Sequence, residues 1–314
     1  MLALSENTLK AYTKDWAHFA RWCRMKGTDP LPPSPEMICL YLGDLAAGAG
    51  SSSELSANSI ERRLSGLAWS FAQRGFHLER TDRHIATALA EIKRKSVRPP
   101  DQKTALLADD ILAMVATLPF DLRGLRDRAI LLIGFAGGLR RSEIVSLDVQ
   151  LDATRDLGNR IQIFDEGVLL ILHAKSGWYE VEIARGSSEQ TCPVHALEQW
   201  LHFAKISVGP VFVGISRDGK RAFETRLNDK HVARLIKQTV LDAGIRSELP
   251  EKERLALFSG HSLRTGFASA VLVDDHNVRK KIKYGSYEEP QHSRPFRERF
   301  PCEFDQGCWS LGIC

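Results

Sequence analysis

A basic segment that contains two prolines divides this chain into two parts. The segment KRKSVRPPDQKT, residues 93–104, holds five lysines and arginines against a single acid, Asp101. Such runs are usually solvated, and adjacent prolines interrupt a helix, so the ordinary interpretation is a linker. A linker at this point of a 314-residue chain favours two domains, each long enough to bury its own core.

The residues before the linker have the pattern of four amphipathic helices. In the first helix, apolar residues recur at three- and four-residue steps, at Leu9, Tyr12, Trp16, Phe19, Ala20 and Cys23. Ser34 and Pro35 are typical of the start of a second helix, residues 59–75 continue the pattern, and Asp82 opens a fourth. Four such helices with short loops predict a small all-α bundle over residues 1–96.

The residues after the linker predict more helices around a short sheet. Residues 159–184 alternate between apolar and polar positions and are rich in Ile, Leu and Val, which indicates a small antiparallel sheet. Its last hairpin is expected to turn at residues 175–177. The fold class predicted is therefore mainly α with a small antiparallel sheet, with a linker at 97–107, a second domain at 108–275 and a tail at 276–314.

Composition excludes several classes of protein. A formal charge of +4 permits a polyanionic partner without requiring one. The six cysteines show no CxxC pair and no Cys/His ligand spacing, so we expect reduced thiols and no structural zinc. The first residues lack the pattern of a signal peptide, and the longest apolar run, residues 129–139, is too short to span a bilayer of about 30 Å. We expect a cytoplasmic protein without a membrane segment.

Four residues are candidates for chemistry, although each alone has a more ordinary interpretation. Arg140 follows two glycines and precedes Glu143 by three residues, a spacing that pairs the two side chains but is commonest in surface ion pairs. Lys175 lies in the hairpin turn, where lysine is normally just solvated. His261 and Arg264 share one helical face; a lone helix histidine is usually structural, whereas a buried arginine is costly without an anion.

The ordered set of Arg140, Lys175, His261 and Arg264 resembles the catalytic signature of the tyrosine recombinases, also called phage integrases. The first box of that family reads Thr-Gly-Leu-Arg-x-x-Glu-Leu, and this chain has GGLRRSEI at residues 137–144. The second box, His-x-Leu-Arg, is present as HSLR. The resemblance extends from about residue 5 to about residue 272. It implies an N-terminal SAM-like core-binding domain and an integrase-like catalytic domain.

The resemblance also implies a role for each residue. Arg140 and Arg264 would clamp the non-bridging oxygens of a DNA phosphate, with His261 beside them. Lys175 would protonate the departing 5′-oxygen. A tyrosine would attack and form a covalent 3′-phosphotyrosine. The implied partners are a double-stranded DNA recombination site and further copies of the chain in a tetramer, with no metal or nucleotide.

The tail departs from the family pattern, as a truncated or frameshifted gene end would. No Gly-His pair follows Arg264, the remaining tyrosines are Tyr284 and Tyr287, and Phe296 stands near the position expected for the nucleophile. Either Tyr284 or Tyr287 attacks from a shortened loop, or this copy lacks its own nucleophile, or another protomer supplies it.

Three functions follow from these alternatives. The first is a site-specific recombinase that cuts and rejoins DNA. The second is a degenerate integrase that binds DNA without cleaving it. The third is an unrelated helical phosphoesterase or regulatory protein in which the arginine pattern arose by chance.

Overall fold

The computed structural model describes residues 4, 6–49, 54–95, 103–149, 158–174 and 177–273. The chain divides into two compact units, Met1–Asp101 and Gln102–Cys314. The division falls within the segment 97–107 that the sequence predicts as a linker. No described helix has the length and apolar character needed to cross a membrane.

The described residues of the N-terminal unit form four helices, α1 (Glu6–Met25), α2 (Pro35–Ala47), α3 (Ala57–Ala72) and α4 (Arg83–Lys95). Ser34 caps α2 as its sequence predicts, because its side chain accepts a hydrogen bond from the Met37 backbone N–H. The core is aromatic: the ring of Phe19 on α1 meets Tyr41 on α2 and Phe71 on α3 edge-on.

The Tyr41 side chain is fully buried, and its hydroxyl contacts His18 Nδ1 at 2.8 Å and Arg63 Nη1 at 3.3 Å. Burial raises the pKa of Tyr41 to about 12. In the unfolded chain the Tyr41 hydroxyl loses its proton near pH 10. The contribution of Tyr41 to the free energy of unfolding is therefore fully present below about pH 10 and is lost as the pH rises towards 12. In Tyr41→Phe, we expect the alkaline fall in the free energy of unfolding to be smaller than in the wild type by about 2–3 kcal/mol. Urea unfolding of both proteins over this pH range measures the difference. Equal losses in the two proteins would contradict this.

The part of the C-terminal unit that the structure describes combines helices with two small sheets. Its helices are α5 (Ala108–Ala116), α6 (Leu122–Ala136), α7 (Arg141–Ser146), α8 (Pro193–Ala204), α9 (Asp229–Asp242), α10 (Glu251–Leu257) and α11 (His261–Val273). Its strands are β1 (Asp148–Val149), β2 (Arg160–Phe164), β3 (Gly167–Ala174), β4 (Gly177–Ala184), β5 (Gly209–Pro210), β6 (Val213–Ile215) and β7 (Ala222–Arg226).

The larger sheet has the strand order β4-β3-β2-β1-β5, and β2, β3 and β4 form the antiparallel meander predicted from the alternating residues. The prediction did not include the edge at which β1 pairs with β2 in parallel. A two-residue strand has no alternation to read, so neither β1 nor β5 carries a sequence signal. The hairpin of β6 and β7 was likewise not predicted. The overall class, mainly α with a small antiparallel sheet, is confirmed.

A buried polar cluster joins α6 to the first turn of α9. Arg126 is only 3% exposed; its Nε donates to Asp127 Oδ1 at 2.8 Å and its Nη1 donates to the Val213 carbonyl at 3.3 Å. Its Nη2 lies 2.9 Å from His231 Nε2 on α9. Because each buried charge in this cluster is partnered, the cluster fixes the N-terminal end of α9 against α6.

Candidate functional site

The turn between α6 and α7 places Arg140 at the start of a short helix. Gly138 in this turn has a φ of +56°, which favours glycine, and a Cβ there would lie 2.6 Å from Cδ1 of Phe267 on α11. The absence of a side chain at Gly138 therefore lets α11 approach this turn closely.

Arg140 and Glu143 form a tight pair at this helix start. Arg140 Nη1 donates to Glu143 Oε1 at 2.6 Å, and the Arg140 backbone N–H donates to Oε2 at 2.7 Å. The Glu143 side chain is 9% exposed and that of Arg140 is 48% exposed. The carboxylate is thus buried behind the guanidinium, and it orients a cation that still reaches solvent.

Helix α11 carries His261 and Arg264 and packs closely against α6. Leu263 is fully buried beside Gly134, where a Cβ would meet its side chain at 3.0 Å. On another side of α11, the Leu106 backbone N–H donates to the Ser262 carbonyl at 3.2 Å. Small residues and a backbone hydrogen bond therefore fix the position of α11.

Arg264 reaches the same turn as Arg140. Its Nη1 donates to the Gly138 carbonyl at 3.2 Å, two residues before Arg140. Over the parts of the chain that the structure describes, Arg264 forms no ion pair with a carboxylate. A half-buried guanidinium that meets only a neutral carbonyl retains donors and positive charge for an anion.

His261 is the first residue of α11, and its side chain is exposed. The loop before it lies against α7, since a Cβ on Gly260 would lie 3.1 Å from Cδ of Arg141. His261 thus lies on the exposed side of the α7–α11 junction that holds Arg140 and Arg264. The fourth predicted residue, Lys175, is outside the described residues, between the paired strand ends Ala174 and Gly177.

Tyr179 on β4 also belongs to this site. Burial and the negative charge of Glu143 raise the pKa of its hydroxyl, whereas the nearby positive charges of Arg140 and Arg264 lower it. Tyr179 is a half-buried residue of the sheet. We refer to Arg140, Glu143, Tyr179 and Arg264 as the arginine cluster. No sequence signal identifies Tyr179, because its proximity to Glu143 depends on how a strand and a helix lie in the folded chain.

A basic groove lies beside the cluster. This open groove of about 580 Å³ is lined by Arg141, Asn228, Lys230, Ala233, Arg234 and Lys237. Arg141 connects the groove to the cluster in sequence and forms an ion pair with Asp229 at 3.1 Å. Four of the six lining residues are cationic and none is acidic, so the groove suits a polyanion.

The described residues contain no group of three or more His, Cys, Asp or Glu side chains arranged to hold a metal ion. The cysteines described as free are Cys23, Cys39 and Cys192. The two guanidiniums of the arginine cluster can bind an anion, and His261 is exposed at the same junction.

Comparison with known proteins relates the chain to DNA recombinases. It is similar to an integrase/recombinase XerD homolog of Selenomonas ruminantium, with 34% identity over 282 residues that cover 86% of this chain and 75% of the relative. It is 25% identical to a tyrosine recombinase XerC of Ralstonia nicotianae, over 88% of this chain and 78% of that protein. No family model matches the chain.

A solved structure shows the same fold at low sequence identity. It is the XerH site-specific recombinase bound to its palindromic difH substrate, with a TM-score of 0.50 and 13% identity over 85% of this chain and 68% of that one.

Proposed function

Since the chain belongs to the tyrosine recombinase family, we propose that it is a site-specific DNA recombinase that cuts and rejoins double-stranded DNA through a 3′-phosphotyrosine intermediate. The observation that carries the proposal is the meeting of Arg140 and Arg264, 124 positions apart in sequence, at one turn of the fold. We assign DNA binding to residues 1–96 and to the groove beside the cluster, and strand cleavage to the catalytic domain at 108–275, joined by the linker at 97–107.

The two guanidiniums suit the electrostatics of phosphoryl transfer. Negative charge grows on the non-bridging oxygens as the nucleophile attacks, and two fixed cations stabilise that charge more than they stabilise the ground state. Guanidinium forks match the spacing of phosphate oxygens. His261, exposed beside them, bonds the same oxygens or helps to take the proton of the nucleophile.

Lys175 is proposed to protonate the departing 5′-oxygen. Strand β4 supports this role, because it runs from Gly177, two residues after Lys175, to Tyr179 in the arginine cluster. Two residues of extended strand span only about 7 Å, so the hairpin begins close to the guanidiniums. The proposed nucleophile is Tyr284 or Tyr287 of this chain, or a tyrosine of another protomer; these residues and Phe296 lie outside the described part.

The groove beside the cluster is proposed to hold DNA phosphates. Arg234→Gln combined with Lys237→Gln is expected to weaken DNA binding and to lower the slope of log K against log salt by about 2, because two fewer counterions are released. Lys220→Gln combined with Lys252→Gln removes two exposed lysines outside the groove and should leave the slope near that of the wild type. Fluorescence anisotropy over a salt series measures both slopes. Equal slopes in the two double variants would contradict the assignment.

The proposal is tested with a pool of random-sequence duplexes, each carrying one nick. After cleavage near the nick, the short fragment bearing the 5′-hydroxyl diffuses away, so the strand cannot be resealed and the covalent protein–DNA adduct accumulates. A denaturing gel detects the adduct, and sequencing its DNA identifies the preferred site. We expect an adduct with the wild-type chain and none with whichever of Tyr284→Phe or Tyr287→Phe removes the nucleophile.

The other outcomes have distinct meanings. An adduct that forms when Arg264→Ala chains are mixed with Tyr284→Phe, Tyr287→Phe chains, although neither forms it alone, assigns the nucleophile to another protomer. Salt-dependent binding without any adduct identifies the degenerate integrase. Binding that does not depend on salt contradicts both DNA functions.

A further inference from the structure

The end of the β3–β4 hairpin extends beyond the neighbouring strand of the larger sheet. The described pairing of β3 with β2 ends at Arg160 and Ile171, whereas the pairing of β3 with β4 continues to Ala174 and Gly177. Among the described strands, residues 172–174 therefore pair with β4 and not with β2. A two-stranded ribbon has little stability by itself, so the end of this hairpin needs a further attachment to hold a fixed position.

Asn159 provides that attachment with its side chain. It lies immediately before β2, and its Oδ1 accepts a hydrogen bond from the His173 backbone N–H at 2.7 Å. The side chain thus extends the contact between β2 and β3 to two residues beyond Ile171. The backbone of Asn159 is held as well, because its carbonyl accepts a hydrogen bond from the Asp148 backbone N–H at 2.9 Å.

The amide nitrogen of Asn159 reaches helix α7. Its Nδ2 donates to Ser146 Oγ at 2.5 Å, and the Ser146 hydroxyl donates in turn to the Glu143 carbonyl at 2.8 Å. The amide can point only one way, since Oδ1 alone can accept from a backbone N–H and Nδ2 alone can donate to a hydroxyl whose proton is already used. The side chain of Glu143 holds the Arg140 guanidinium at 2.6 Å. One network of hydrogen bonds therefore runs from the end of the hairpin to the residue that holds Arg140.

We propose that Asn159 is a positioning residue for protonation of the leaving group: it holds the hairpin end that precedes Lys175 in a fixed position relative to Arg140. The inference rests on the proposed function, in which Arg140 binds the phosphate and Lys175 protonates the departing 5′-oxygen. These two groups act on one phosphate, so their spacing must be kept within about 0.5 Å. His173, which Asn159 holds, precedes Lys175 by two positions.

The test compares two duplexes that differ at one atom. Both carry the site identified by sequencing the adduct, and in one of them sulfur replaces the bridging 5′-oxygen of the phosphate that is attacked. As the tyrosine oxygen bonds to phosphorus, the bond to this bridging atom breaks and a departing oxygen takes up a proton. A departing sulfur leaves as the thiolate, because a thiol is a much stronger acid than an alcohol. Sulfur therefore suppresses a defect in protonation, but not a defect in phosphate binding or folding.

On the oxygen duplex, Asn159→Ala is expected to form adduct about 10–100-fold more slowly than the wild type, as when the support of a site group is removed. On the sulfur duplex its rate should be close to that of the wild type. Lys175→Ala should show the same suppression, whereas Arg264→Ala should be slow on both duplexes. Asp121→Ala is the matched control, because it removes a similar hydrogen bond, from the Gly124 backbone N–H at 2.8 Å, in the same unit but outside this network. Any loss of rate in this control should be equal on the two duplexes.

Three kinetic outcomes overturn the proposal. They are an Asn159→Ala variant as fast as the wild type on the oxygen duplex, one that is equally slow on both duplexes, and a Lys175→Ala defect that sulfur does not suppress. The last result would remove the group that Asn159 is proposed to position. The comparison of duplexes is independent of the folded fraction of a variant, because the same protein acts on both.

Hydrogen exchange separates this inference from the proposed cleavage. In chain labelled with ¹⁵N-histidine, the backbone signal of His173 is assigned by its loss in His173→Gln. Its exchange with water is expected to be about tenfold faster in Asn159→Ala than in the wild type or in Asp121→Ala, because the N–H loses its acceptor. If the wild-type chain forms no adduct on either duplex, the cleavage function fails. A His173 exchange rate unchanged by Asn159→Ala is a different result, and it overturns the attachment of the hairpin through Asn159 whether or not DNA is cleaved.

Discussion

Replacing Arg264 by alanine is expected to slow formation of the covalent DNA adduct by about 10²–10³-fold, the usual cost of removing one group that stabilises transition-state charge. The affinity for intact DNA is expected to change little, because one phosphate contact among many contributes a small part of the binding free energy. The hydrogen bond from Arg264 Nη1 to the Gly138 carbonyl, at 3.2 Å, fixes the orientation of the guanidinium and does not neutralise its charge. We therefore expect the rate of adduct formation at saturating protein to fall, while the affinity for DNA stays near that of the wild type.

The Arg264→Lys variant distinguishes geometry from charge. It keeps the cation but loses the fork, so we expect it to recover only part of the lost rate. Arg254 provides a matched control, because it is also half-buried and donates to backbone carbonyls, at 2.8 Å to Ile245 and 3.0 Å to Val240, outside the cluster. Arg254→Lys should lose some stability and little cleavage rate. A similar rate loss in Arg254→Lys and Arg264→Lys would show that Arg264 acts only through stability.

The helices and the pairing of Arg140 with Glu143 were predictable from the sequence, because their signals are local. Amphipathic spacing and caps such as Ser34 specify a helix within a few neighbouring residues. The three-residue spacing of Arg140 and Glu143 likewise specifies their pair, which the structure forms at 2.6 Å. The meeting of Arg140 with Arg264 depends on tertiary packing, and resemblance to a family suggested it where spacing alone did not.

What the sequence did not reveal is non-local. Tyr179 has the alternation of an ordinary strand residue, and its proximity to the charges of Glu143, Arg140 and Arg264 arises only in the folded chain. The basic groove combines Arg141 with residues of α9 almost a hundred positions later, so no charge run marks it. Strands β1 and β5 have two residues each and derive their pairing from the sheet around them.

Gly266→Ala is expected to disturb the candidate site more than any other small substitution on α11. A Cβ at this position would overlap the Leu106 carbonyl oxygen, which is backbone and cannot rotate away. The helix must then move from the 104–106 segment and stretch the Leu106–Ser262 hydrogen bond. Overpacking of this kind costs about 1–3 kcal/mol in the free energy of unfolding. Because Arg264 lies on the same helix, a shift of about 1 Å should also lower the adduct rate by about 10²-fold.

Gly43→Ala separates this clash from the general effect of adding a methyl group to a helix. Gly43 lies on α2, and a Cβ there meets no atom within 4 Å. Alanine lowers the conformational entropy of the unfolded chain, so this control should be about 0.5–1 kcal/mol more stable than the wild type. Urea unfolding gives both free energies, and adduct rates are compared at a temperature at which each variant is folded. A Gly266→Ala chain as stable and as active as Gly43→Ala would mean that α11 does not pack against Leu106, and the placement of His261 and Arg264 would then be wrong.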